Sequence, residues 1–150
     1  MNRKDAAAPV DIKKIENGNE LLIDFTKLKK VAAGEPVVPV AVQDAATKEV
    51  LIIAYANETA LRYTLEHNVA AFWSTSRNEL WVKGLTSGDT LSIVEVRVNC
   101  DQNSLLYLVK MVGTGSCHTK KADGATRFGC YYRKVADDGT LQFVEGASYE

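Results

Sequence analysis

The run TLSIVEVRVN at residues 90–99, followed after Cys100-Asp101-Gln102-Asn103 by SLLYLVKMV, constrains the fold of this chain more than any other stretch. Leu91, Ile93, Val94, Val96 and Val98 follow a strand-like pattern rather than the 3.6-residue period of a helix. A strand's backbone donors and acceptors need a partner strand. SLLYLVKMV is the nearest one in sequence.

Other stretches point the same way. VVPVAVQD and EVLIIAYA flank the turn-like Ala45-Ala46-Thr47-Lys48, which predicts a hairpin. AAFWSTS and ELWVKG read as further strands. CYYRKV and TLQFVE flank Asp138-Gly139 and predict a terminal hairpin. Asn57 can cap a helix running through Leu65, with Glu58 at its positive end and Ala60, Leu61, Thr64 and Leu65 on one face. Asn68 is its expected end. The expected fold is therefore α+β: a mixed or antiparallel sheet core with a few short helices, for which a closed barrel is allowed but not required.

Residues 1–35 read as an N-terminal extension, partly helical because Leu21, Leu22, Phe25 and Leu28 have helix-like spacing. Residues 36–150 form the expected domain. No repeat or linker divides it, and 150 residues can bury roughly two thirds of the unfolded chain's surface in one core. Lysine and arginine total 18 against 19 acidic residues, so no basic field gathers nucleic acid or anionic lipid. A small molecule is the expected ligand. The N-terminus has no apolar run of signal-peptide length and no segment is long enough to span a bilayer, so a cytoplasmic location is expected.

Three cysteines are an odd number for internal disulfides. Cys100, Cys117 and Cys130 each stand beside polar residues, at VNCDQN, GSCHTK and FGCYYR, which a cysteine used only as a small core residue does not need. Their spacings of 17 and 13 residues match no paired zinc-knuckle pattern, so spacing leaves metal ligation and plain burial both open. Three thiolates on zinc would leave the fourth tetrahedral position for water, the arrangement of a catalytic site. His118, next to Cys117, is then the natural proton carrier, against the plainer reading of a surface histidine in a polar loop. WSTSRNELWVKGLTSGD, residues 73–89, is the second constellation. Arg77 and Lys83 offer charge, Ser76, Thr86 and Ser87 hydroxyls, Gly84 and Gly88 close backbone approach, and Trp73 or Trp81 a stacking surface. A polar hairpin with two half-buried tryptophans is the plainer alternative.

VQD (42–44), EVLIIAYANETAL (from 49), FWSTSRNELWVKGLTSGD (from 72), NCDQNSLLYLV (from 99), GSCHT and CYYR together resemble the phosphoribosyl-AMP cyclohydrolase family of histidine biosynthesis. The resemblance runs in order from about Pro39 to Arg133. It implies a homodimer with an active site shared between subunits, and hydrolytic opening of the purine ring between N1 and C6. It further implies Zn2+ on Cys100, Cys117 and Cys130, with His118 as the catalytic residue. Ser76, Arg77, Trp81, Lys83, Thr86, Ser87 and Gly88 would bind substrate. A Mg2+ site is implied at positions 99, 101 and 103, but the family's outer two aspartates are Asn99 and Asn103 here, and only Asp101 keeps a charge. The stretch KKADGATRFG between Cys117 and Cys130 is longer than the family's usual loop. Thr75 stands where an arginine is frequent, and Asp89 where an asparagine is common. The departures leave two alternatives to the family's own reaction: a paralogous zinc hydrolase acting on a related nucleotide, or a non-catalytic zinc-binding module.

Overall fold

The computed structural model describes residues 11–144. In chain order the elements are α1 (Ile12–Asn17), α2 (Lys27–Ala32), β1 (Val38–Asp44), β2 (Val50–Ala56), α3 (Glu58–His67), β3 (Ala71–Ser74), β4 (Glu79–Val82), β5 (Leu91–Val98), β6 (Leu105–Met111), β7 (Arg133–Val135) and β8 (Leu141–Phe143).

The alternating run and its neighbour are β5 and β6, antiparallel from Leu91 opposite Met111 to Val98 opposite Leu105. The register slips between Ile93 and Glu95, and the doubled Ile93-Val94 explains why. Ile93 and Val96 both pack on the core, whereas Val94, the extra residue of the bulge, is exposed. β1 and β2 form the expected hairpin. Its turn is held by Asp44, whose carboxylate accepts the amides of Ala46 (3.2 Å) and Thr47 (2.8 Å).

The pairing of β6 with β1 joins the two hairpins, in parallel, giving the order β2-β1-β6-β5. The sheet is mixed. Val40, Val42, Tyr107 and Val109 on the central strands are fully buried, as expected where a parallel pair lies inside a sheet. α3 and the β3–β4 ribbon supply Ala60, Ala70 and Phe72 to the same core. Phe72 stacks on Tyr107 with ring centroids 5.7 Å apart.

α3 begins where Asn57 Oδ1 accepts the Ala60 amide (2.9 Å) and ends at Asn68 in the left-handed conformation. Thr64 ties it to the ribbon: its hydroxyl donates to the Ala60 carbonyl (2.9 Å) and accepts the Ala71 amide (3.0 Å). Both sheet edges are met by other backbone. Ala70 donates to the Leu91 carbonyl at β5, and Cys130 to the Leu51 carbonyl at β2 (2.7 Å). The sheet is open, each edge strand is met near the site end by other backbone, and no closed barrel forms among the described residues.

Three expectations are corrected. The stripe Leu21, Leu22, Phe25, Leu28 is not one helix face: only Lys27–Ala32 is helical there, and all four side chains are exposed. A helix at Ile12–Asn17 went unanticipated because it is short and has no buried face. On α3, Ala60 and Thr64 are buried but Leu65 is exposed. Residues 1–10 of the expected extension, and Glu145 of the expected last strand, lie outside the described residues.

Candidate active site

Three segments from separate parts of the sequence meet at one end of the sheet: the β4–β5 connection, the stretch after β6, and Cys130 on the edge of β2. Two glycines allow the approach. Gly84 has φ +76, and a Cβ there would stand 2.2 Å from the Asp89 backbone, so the 83–89 loop closes only on glycine. At Gly115 a Cβ would stand 2.3 Å from the Arg127 carbonyl oxygen. Its absence lets Ser116 donate its amide to the Arg127 and Phe128 carbonyls, and Cys117 donate to that of Arg127.

The long stretch between the second and third cysteines is ordered. Lys120 and Thr126 form a bridge, Lys121 donates to the Ala125 carbonyl, and Gly124 turns the chain at φ +86. This small hairpin brings Cys130 back beside Cys117 despite the extra length. Its Lys120 Nζ donates to Thr126 Oγ1 (2.9 Å), which donates to Asp89 (3.3 Å) at the mouth of a cavity of about 480 Å3.

Arg77, Trp81, Lys83, Thr86, Ser87, Cys117, His118 and Cys130 line that cavity. Ser76 and Gly88 do not. Ser116, Asp89 and Lys120 line it and were missed as site residues. In the sequence Asp89 stands out only as a departure from a motif, and Lys120 follows the Cys-His-Thr stretch with no motif of its own.

The electrostatics of the cavity follow from its walls. Cys117 and Cys130 share a hydrogen bond, which with the hydroxyl and amide of Thr119 draws the Cys117 thiol down to about 5. The same bond, followed by burial, pushes Cys130 up. The pair therefore gives up its first proton readily, from Cys117. Lys83 is buried, and desolvation lowers its pKa, while Asp89 and the two cysteines act the other way. Its Nζ donates to the Asp89 carbonyl (3.2 Å). His118 is exposed at the rim, with Nε2 2.7 Å from a carboxylate oxygen of Glu16.

Cys100 stands elsewhere. It follows β5 at the end opposite Asp89, so the eight residues of β5, at ~3.3 Å each, place it roughly 25 Å from the cavity. It is exposed, and no three His, Cys, Asp or Glu side chains converge as metal ligands among the described residues of one chain. Residues 99–103 are a turn and not a strand end, with Gln102 at φ +54, so the alternation that would place 99, 101 and 103 on one face stops at Val98. Asn99 Oδ1 accepts the amides of Asn103 and Ser104 (both 2.9 Å), and its Nδ2 donates to Asn103 Oδ1 (2.6 Å).

An open α+β sheet here carries a loop-built cavity walled by two thiols and cationic side chains, a setting suited to a small anionic ligand. The profile of the phosphoribosyl-AMP cyclohydrolase family matches residues 52–132. A phosphoribosyl-AMP cyclohydrolase of Brucella anthropi is 42% identical over 144 residues, 94% of this chain and 93% of that relative. One of Archaeoglobus fulgidus is 46% identical over 101 residues, 67% of this chain and 87% of the relative. The chain belongs to the phosphoribosyl-AMP cyclohydrolase family and is a hydrolase.

Proposed function

We propose that this protein hydrolyses phosphoribosyl-AMP in histidine biosynthesis, opening the purine ring between N1 and C6. It does so as a cytoplasmic homodimer whose active sites are shared between subunits. The observation that carries the reading is the meeting of Cys117, Cys130, His118 and Lys83 around one cavity, from segments the sequence keeps apart.

Zinc suits the donor set of this cavity. Two adjacent thiols, one of them already acidic, are soft ligands of the type zinc takes. One chain supplies only these two, because Cys100 lies at the far end of the sheet. A second copy's Cys100 completes the set, which makes the dimer a condition of metal binding. Zinc bound there supplies Lewis acidity and makes water a better nucleophile at neutral pH.

The chain's own residues do the rest. Arg77 and Lys83 hold the substrate's phosphates, with the hydroxyls of Thr86 and Ser87 beside them. Trp81 and Ile52 give the purine an apolar wall. His118 carries the proton that must leave the attacking water and reach the ring nitrogen as the bond breaks. Mg2+ does not fit the residues present at 99–103. Asn99 and Asn103 spend their amide oxygens on each other and on the turn, leaving Asp101 as the single carboxylate.

The locked asparagine turn favours a second reading, a paralogous zinc hydrolase acting on a related nucleotide. Hydrolysis of phosphoribosyl-AMP by zinc-loaded protein, with and without Mg2+, separates the two. Turnover that is indifferent to Mg2+ supports the first. Failure to turn over phosphoribosyl-AMP at full zinc occupancy, with hydrolysis of another purine nucleotide, establishes the second.

A further inference from the structure

The segment around α1 lies outside the region that the family profile matches, yet it is bolted to the active-site loop. Tyr132 donates its hydroxyl to the Glu16 carbonyl (2.6 Å). The Arg133 guanidinium spans the helix end, donating to the carbonyls of Ile15 (2.6 Å) and Gly18 (2.9 Å). Arg127, stacked over the Tyr132 ring at 4.1 Å, donates to Asn17 Oδ1 (3.0 Å), and Leu141 donates its amide to the Asn19 carbonyl (2.7 Å).

A six-residue helix is too short to be stable alone, so these bonds are what hold Ile12–Asn17 in place. All but the Leu141 bond come from residues that flank Cys130 in sequence. The side chain this arrangement delivers to the rim of the cavity is Glu16, whose carboxylate meets His118 Nε2 at 2.7 Å. His118 is 81% exposed and Glu16 28%, so the pair itself adds little stability and does not account for the clamp.

We propose that Glu16 is a positioning residue for His118. A carboxylate accepting from Nε2–H fixes the ring's orientation and selects the tautomer with its lone pair on Nδ1, leaving Nδ1 to exchange protons with substrate. The N-terminal segment thereby completes the active site. This rests on the reading of His118 as the proton carrier, so the test has one arm that does not depend on turnover.

In zinc-loaded, 15N-labelled protein at slightly alkaline pH, long-range 1H–15N spectra report the tautomer of His118. A His118→Asn variant identifies its signals, since His67 is the other histidine in the chain. The wild type should be predominantly Nε2–H, and Glu16→Gln, which can donate as well as accept, should lose that preference. In the same variant kcat should fall about ten-fold with KM within about two-fold, and with melting temperature and zinc content unchanged. A wild-type tautomer in Glu16→Gln, or a wild-type kcat, overturns the proposal. If the wild type does not hydrolyse phosphoribosyl-AMP, the substrate reading fails by itself, and the tautomer still decides the role of Glu16.

Discussion

At the scale of single residues, the cavity holds groups whose ionisation departs from the ordinary, and the departures can be measured. Hydrogen bonding holds Cys117 near 5 and pushes Cys130 up, so in zinc-free protein one thiol of the pair is ionised at neutral pH. A depressed pKa means that the anion persists above it and is lost as pH falls through it. Ultraviolet thiolate absorbance of the metal-free protein should therefore show a step near pH 5 that Cys117→Ser removes. An ordinary thiol would give its step at about 8.5. Lys83 has been taken out of water, which lowers its pKa, so its charge costs stability. Lys83→Met should leave the melting temperature unchanged or raise it, while raising KM for phosphoribosyl-AMP by about ten-fold or more, as steady-state kinetics would record.

At the scale of elements, the loops that form the site are positioned by a few contacts in the scaffold. Thr64 joins α3 to β3, and valine in its place would leave the buried Ala71 amide without that acceptor. Thr64→Val should cost about 1–3 kcal/mol in denaturant unfolding, with the far-ultraviolet spectrum preserved. Gly115 has a different role, because its missing Cβ is the space in which the segment leading to Cys117 meets the Arg127 backbone. Gly115→Val should weaken zinc retention against a chelator far more than it lowers the melting temperature. A variant that held zinc as tightly as the wild type would contradict that placement.

At the scale of the whole molecule, the sheet separates the cysteines. Cys100 lies at one end of β5 and the Cys117–Cys130 pair at the other, so a three-cysteine site requires two chains. Cys100→Ala and Cys117→Ala should each be inactive as pure homodimers. Mixed under conditions that exchange subunits, they should recover about a quarter of wild-type activity, because half the dimers are mixed and each holds one intact site. Sedimentation should report a dimer for both. No recovery from a mixture shown to contain mixed dimers would contradict a site shared between subunits.

Much of this was legible in the residues. The bulge at Ile93-Val94 shows only in the pairing, but the alternating run marks β5, Asn57 and Asn68 mark both ends of α3, and the TSGD and Cys-His-Thr stretches identify the family. Such features are local: a strand period, a cap or a motif is decided by neighbours a few residues away. The parallel pairing of β6 with β1 and the burial of Thr64 but not Leu65 depend on what arrives from elsewhere in the chain. The same holds for Lys120 at the cavity and Glu16 against His118, 102 residues apart. Sequence by itself determined the family and the reactive side chains on offer, because those side chains and their immediate neighbours are written side by side. Tertiary structure alone decided which of them meet, because packing a mixed sheet sends Cys100 to one end and brings α1 onto the other.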